Sequence, residues 1–494
     1  MPTFDPDSLD IAGGHFIDGR RIDGSGIPAT VLRPSDAHPY QEIRGATPQE
    51  VDEAVESAAR AFRTSGWASI APRERNRVMR RWACLIEEEA GMLARLESTG
   101  STRPISETIA WDIPYSAETI RFFAECADKV GGEVAATASD KLGFVAGEPI
   151  GVIGAVAPWN FPLVMACWKI APAIAAGNAV VLKPSELTPF SIVHLAELAI
   201  IAGMPAGIFN IVQGNGQLTG DALCRHPKIG KVTFTGSTQT GAKIMTACAQ
   251  SGTKPVTLEL GGKSPQIVFA DAANLDRVSA AIARAITGNA GQVCVAGSRL
   301  IVEASIAEEL VHKIAGHFSK LCPGPTWHGG TTLPPIISHA QCERIDGIVQ
   351  RTIASGAQAV TGGGRAASPQ EGAYYQPTIL SNVDHTSEAV REEIFGPVLT
   401  VQTFRGEEEA LRMANDSPYG LAAGVHTGDV AKALRATRAL EVGTVWVNRY
   451  GRSNDYNLPT GGYKRSGIGK DLGRQAYEAN LRYKTTLIEF QRDG

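Results

Sequence analysis

The run Ile150-Gly-Val-Ile-Gly-Ala-Val-Ala-Pro-Trp-Asn-Phe-Pro-Leu-Val-Met-Ala-Cys-Trp-Lys-Ile-Ala-Pro-Ala-Ile-Ala-Ala-Gly-Asn-Ala-Val-Val-Leu182 is almost wholly apolar, and two structures compete for it. A membrane helix needs about 20 consecutive apolar residues, which this run exceeds. Pro158, Pro162 and Pro172 interrupt it, however, and Asn160, Lys169 and Asn178 lie inside it. A buried strand over 150–157, a helix over 162–176 and a second buried strand over 179–182 account for all of these. No membrane partner is expected.

The same rhythm continues outward. A helix is expected over 189–202 and strands over 208–212 and 232–235, with Gly177, Gly203 and Gly230 at the joins. Apolar strands alternating with helices are the mark of βαβ units around a parallel sheet. A second α/β series follows Gly262, with helices expected over 275–287, 306–321, 339–355, 407–415 and 430–440, and strands over 397–404 and 444–448. Upstream, helical spacing sets in at Pro48 (Ala54, Ala58, Ala59, Phe62, then Val78, Trp82, Leu85, Ile86), and another helix is expected over 115–130. Residues 130–148 loosen into a projecting ribbon. The tail over 483–491 alternates like a strand with no home in either series, which suits an oligomer edge.

Bulk properties exclude several classes. A chain of 494 residues with 43% hydrophobic and 20% charged residues is an ordinary globular protein of two or three domains. A formal charge of -4 and scattered basic residues give no footprint for nucleic acid. The eight cysteines form no C-x-x-C pair, so neither a metal site nor a disulfide framework is expected, and a reducing, cytoplasmic setting is the better reading. The N-terminus has no basic start followed by an apolar run, so no signal peptide is expected.

Several places carry candidate chemistry. Cys294 sits in Gly291-Gln-Val-Cys-Val-Ala-Gly-Ser-Arg299 among small residues that let a ligand approach its sulfur. By itself it is more readily a buried small hydrophobe than a nucleophile. Glu259 stands between two leucines in a strand-like run; desolvation there raises a carboxyl toward the range of a general base, whereas a strand-edge position would leave it ordinary. Asn160 ends a strand at the carboxyl edge of the sheet, where its amide suits an oxyanion donor or a cap for the next helix. Lys183-Pro-Ser-Glu186 follows the next strand and suits a ribose, with the glutamate disfavouring a 2′-phosphate, hence NAD over NADP. Two glycine clusters compete for a pyrophosphate: Gly214-Asn-Gly216-Gln-Leu-Thr-Gly220 has one residue too many for the dinucleotide fingerprint, whereas Phe234-Thr-Gly236-Ser237-Thr-Gln-Thr-Gly241 joins a strand to a helix and is preferred. Glu393 beside Phe395 suits a second ribose.

Taken together, Pro158-Trp-Asn-Phe-Pro, Lys183-Pro-Ser-Glu, Phe234-Thr-Gly-Ser, Leu258-Glu-Leu-Gly-Gly-Lys, Gly291-Gln-Val-Cys, Glu393-Ile-Phe-Gly-Pro and Gly461-Gly-Tyr-Lys-Arg-Ser-Gly resemble the NAD(P)-dependent aldehyde dehydrogenase superfamily in order and spacing over nearly the whole chain. The resemblance implies an α/β fold: a Rossmann-type NAD-binding domain (1–129 and 149–260), an α/β catalytic domain (261–475) and a small β oligomerisation element (130–148 and 476–494), in a homodimer or homotetramer. It makes Cys294 the nucleophile, Glu259 the general base, and Asn160 with the Cys294 N–H the oxyanion donors, and it gives Lys169 and Asp471 a proton-relay role. Val156, Ala157, Pro158, Trp159, Lys183, Ser185, Glu186, Gly216, Gly220, Phe234, Gly236, Ser237, Gly241, Leu260, Glu393 and Phe395 fall at cofactor positions. The implied reaction is oxidation of an aldehyde to its acid. The alternatives are a CoA-acylating relative, against which Glu259 argues, and a catalytically idle homologue, against which the intact Cys294, Glu259 and Asn160 argue.

The pocket departs from the common pattern. Thr460 replaces a phenylalanine common in relatives and Gly288 an aromatic, so a roomier and more polar pocket is expected. Phe161, Val164, Trp168, Val293 and Val295 form its walls, with Asp112 and Tyr115 near the mouth. Arg452 and Asp455 pull the expected substrate charge in opposite directions.

Overall fold

The computed structural model describes residues 3–11 and 13–490; the ends of the predicted first domain and oligomerisation element (1, 2 and 491–494) and residue 12 lie outside them. The Ile150–Leu182 run forms the strands Val152–Val156 and Ala179–Lys183 around the helix Pro162–Ala175, every residue of which is buried. No helix among the described residues is long and apolar enough to cross a membrane.

Those two strands sit in an eight-stranded sheet. Its five central strands are parallel, in the order Phe209–Ile211, Ala179–Lys183, Val152–Val156, Ile229–Thr235, Val256–Glu259. The chain runs outward to one side of Val152–Val156 and then resumes on the other side. Such a reversal opens a crevice at the carboxyl ends of the two strands that flank it. Asn160 follows one of these strands and Gly236 the other. The second series forms a seven-stranded sheet, parallel except for the edge strand Gln358–Thr361, with Pro265–Val268 at its own reversal point.

Some expectations need correcting. The helix expected over 115–130 runs Ile113–Cys126, entered through a wide turn over Thr108–Asp112. Residues 141–149 are not loose: Lys141–Pro149 pairs along its length with Leu481–Glu489, from Leu481↔Pro149 to Glu489↔Lys141, so the tail finds its partner in the ribbon of its own chain. Glu133–Ala135 completes that three-stranded sheet. Gly467–Ile468, expected within the catalytic domain, adds antiparallel to Val256–Glu259 in the first sheet. Leu472, Ala476 and Tyr477 likewise join the core of that first half.

Candidate active site

The carboxyl edge of the first sheet faces the segment before the strand Arg299–Glu303, and the cleft between them encloses about 1320 Å³. Cys294, Asn160, Trp159, Phe161, Trp168, Gly236, Ser237, Leu260, Glu393 and Phe395 all line it.

The loop carrying Cys294 owes its shape to backbone that few sequences tolerate. Asn289, Ala290 and Gly291 lie at φ of 48°, 50° and 73°. Left-handed backbone costs a non-glycine residue about 1–2 kcal/mol, so the loop needs external ties. Gln292 provides them: its Nε2 donates to Asn289 O and Pro335 O, and its Oε1 accepts from Ile337 N. Asn289 Nδ2 donates to the carbonyl of Asn160 at 2.9 Å. Gly262 passes so close behind that a Cβ there would lie 2.4 Å from the Cys294 carbonyl oxygen. Cys294 is half-buried, and burial pushes its thiol up to about 11; Arg452 is the strongest charge pulling it back, and the neighbouring Val295 N–H also favours thiolate.

Asn160 does not cap the helix after it. Its Nδ2 donates to Gln292 O at 2.9 Å, which holds the amide against the nucleophile loop and leaves its second N–H unspent among the described residues. Glu97, wholly buried and unforeseen from the sequence, serves the helix instead: its carboxylate accepts from Leu163 N at 2.9 Å and from Ser191 Oγ at 2.5 Å. Burial pushes Glu97 up to about 7.

Glu259 is buried rather than solvent-facing. Burial first, then the charge of Asp471, pushes it up to about 8, against the opposing pull of Lys169 and Arg452. Its Oε1 has no hydrogen-bond partner among the described residues and lies 2.9 Å from where a Cβ on Gly461 would stand. The carboxyl is therefore parked against a glycine, outside the walls of the cleft. Behind it, Lys169 Nζ donates to Asp471 Oδ2 at 2.5 Å and to Phe234 O at 3.2 Å, a buried ion pair that bridges the two halves of the chain.

The residues at the cofactor positions divide into two groups. Gly236 and Ser237 open the helix Thr238–Gln250, with Ser237 Oγ accepting from Thr240 N; a Cβ on Gly236 would fall 2.4 Å from the Phe234 ring and one on Gly241 2.6 Å from Leu260. Glu393 accepts from Gly262 N at 3.0 Å, and burial pushes it up to about 7. Phe395, at φ 57°, sets its ring edge-on to Trp159 at 5.3 Å. Val156 and Ala157 are buried at the strand end beneath Pro158. Lys183 is consumed internally: Nζ donates to Pro184 O, to Gly214 O and, at 3.5 Å, to Glu186. Lys183 thus ties the segment leading into the Gly216–Gly220 turn to half-exposed Glu186, one strand out from the reversal point. A helix start open to the cleft, glycines that admit no side chain and carboxylates at both ends fit a dinucleotide.

The pocket expectations fare less evenly. Phe161, Trp168, Val293, Val295 and Gly288 line the cleft, and a Cβ on Gly288 would meet nothing within 4 Å. Val164 does not, because it lies in the core. Asp112 is not at the mouth: it is fully buried in a two-pronged pair with Arg103 (2.8 and 2.9 Å). Tyr115 is also buried, behind Trp111 at 4.6 Å. Thr460 is buried beneath Arg452, which bonds its hydroxyl. Trp111 and Met165, passed over in the sequence, line the cleft, and so do Tyr450 and Arg452 of the 450–458 loop expected near its mouth. Trp111 lies one helical turn from Tyr115, so helical spacing would have brought it into view once Tyr115 was placed near the mouth.

Residues 22–486 match the model of the aldehyde dehydrogenase family. The chain belongs to the aldehyde dehydrogenase family. Among its relatives, the NADP/NAD-dependent aldehyde dehydrogenase PuuC of Escherichia coli is 42% identical over 92% of this chain and 90% of that one. The solved structure of P. syringae AldA, an indole-3-acetaldehyde dehydrogenase in complex with NAD+ and IAA, is 40% identical and superposes with a TM-score of 0.96 over 98% of both chains. A γ-glutamyl-γ-aminobutyraldehyde dehydrogenase from Burkholderia cenocepacia is 42% identical with the same TM-score and coverage. The aldehyde dehydrogenase fold is thus established across the described chain.

Proposed function

We propose that Cys294, Glu259 and Asn160 carry the NAD-dependent oxidation of an aldehyde to its carboxylic acid, the reaction that goes with membership of the family. The observation that supports these roles best is the convergence on one loop: the Asn160 amide is tied to the carbonyl two residues before Cys294. The Cys294 thiolate adds to the aldehyde carbon. The unspent Asn160 N–H and the Cys294 N–H hold the resulting oxyanion, and one such donor is worth about 2.7–4 kcal/mol of barrier. When bound, NAD supplies the acceptor for the hydride that leaves this carbon. Gly236, Ser237, Glu186, Glu393 and Phe395 would hold the dinucleotide, and Glu186 favours NAD over NADP. Glu259 swings from Gly461 to take a proton from water, which attacks the acyl-Cys294 thioester and frees the acid and the thiolate. Lys169 and Asp471 stand behind the parked carboxyl, in place to pass that proton onward.

All eight cysteines are free, which fits a reducing compartment. We assign the ribbon and tail sheet, with Val134 and Leu487 more than 60% exposed, as a contact to a second copy of the chain. The test of the reaction is NADH formation with an aldehyde panel, with and without CoA. NADH independent of CoA and abolished in Cys294→Ser is expected. A CoA requirement would favour acyl transfer to a thiol, and no NADH with any aldehyde an idle homologue.

A further inference from the structure

The place beside Thr460 is taken by a charge. Arg452 lies over Trp168, its guanidinium carbon 4.7 Å from the ring centre, and Nη2 donates to the buried Thr460 hydroxyl. Ring and hydroxyl fix the plane of the fork. A guanidinium has five N–H groups, and among the described residues no ion pair engages this one, which lines the same cleft as Cys294.

The surrounding charges do not neutralise it. Arg284 and Arg277 lie one and three turns up the helix Leu275–Thr287 from Gly288, and Arg449 precedes Arg452 by three residues; all three line the cleft without an ion pair among the described residues. Of the lining carboxylates, Glu107 is paired with Arg103 at 3.2 Å, and Glu392 and Glu393 stand on the cofactor side with Arg344. Asp455 bonds Ser453 and does not line the cleft. The aldehyde limb of a chain with formal charge -4 is thus locally cationic.

We propose that Arg452 is the specificity element of the aldehyde pocket and that the preferred substrates are oxo acids, short-chain aldehydes with a carboxylate at the far end. This rests on the aldehyde-oxidising reading above. The carboxylate takes the open edge of the fork while the carbonyl carbon reaches Cys294, and a cationic aldehyde is repelled from the same place.

The test compares kcat/KM for pentanal, 5-oxopentanoate and 4-(trimethylammonio)butanal in the wild type, Arg452→Gln and Arg452→Lys. Ratios between substrates cancel any effect of the arginine on the thiol itself. The wild type should prefer 5-oxopentanoate to pentanal by at least tenfold. Arg452→Gln should lower that ratio by about ten- to a hundredfold, chiefly through KM. Arg452→Lys, which keeps the charge without the fork, should fall between. Preference for pentanal or the cationic aldehyde, or an unchanged ratio in Arg452→Gln, overturns the proposal and leaves aldehyde oxidation intact. NADH from none of the three aldehydes overturns both.

Discussion

Replacing Glu259 by glutamine separates the two halves of the reaction. The substitution keeps shape and volume, and the side chain's Oε1 has no hydrogen-bond partner to lose among the described residues, so folding should be unaffected. What is lost is the ability to take a proton. Burial holds the carboxyl well above the ordinary carboxylate range, at about 8, so its ionised fraction grows as pH rises from 7 to 9. If release of the acyl group limits turnover, the wild-type steady rate should climb across that interval, because the base acts only when deprotonated. Glu259→Gln should lose this limb and run slower by about two to four decades. Thiolate attack and hydride loss do not use Glu259, so rapid mixing should still show a first burst approaching one NADH per site. A wild-type burst followed by a steady rate flat from pH 6 to 9, or a variant whose burst falls as far as its turnover, would refute the assignment.

Asn160→Ala should lower kcat by about 10²–10³ with a smaller change in KM, read from initial rates, since the oxyanion forms only after attack. Gly262→Ala should fold yet lose most activity, because the new methyl meets the Cys294 carbonyl at 2.4 Å; circular dichroism and NADH assays on the same sample decide it. Glu97→Ala leaves the Leu163 N–H and Ser191 hydroxyl unpartnered, at about 1–3 kcal/mol each, and should lower the melting temperature by several degrees. Glu97 has a folded value near 7 against 4.5 when unfolded, so the folded chain holds the extra proton and this carboxyl's contribution to stability declines as pH rises from about 4.5 to 7. Glu97→Gln should remove that slope in melting curves taken across the interval. Lys169→Met strands a buried carboxylate at Asp471 and should cost about 3–5 kcal/mol, measured by denaturant unfolding.

What could be read from sequence was whatever repeats or punctuates. The apolar strands and glycine joins of 150–262 predict the first sheet because burial on both faces leaves no other pattern. Cys294, Glu259 and Asn160 stand out as polar groups at strand ends or among small residues. The misreadings share a cause: each depends on a side-chain or strand partner, near in the chain or far, that neither periodicity nor punctuation reveals. Asp112 reads as a mouth carboxylate until Arg103 is seen gripping it, and Thr460 reads as vacated space until Arg452 is seen filling it. Glu97 carries no signal, since a helix of ordinary composition hides which carboxylate faces a neighbouring helix start. The ribbon read as loose by itself because its nine-residue partner lies more than 300 positions downstream, and only the resemblance set the two together.

The short strand Gly467–Ile468 bears on how this molecule can be recombined. It is encoded after the whole second sheet, yet it seals the edge of the first, and Leu260 N reaches across to Ser466 O at 3.0 Å beside it. A chimera spliced at residue 260 would trade in a foreign clasp along with the foreign half, and with it a foreign counterion for Lys169. Modular exchange of nucleotide specificity must therefore carry residues 461–477 with the first half, or the graft begins with an open seam beside its own base.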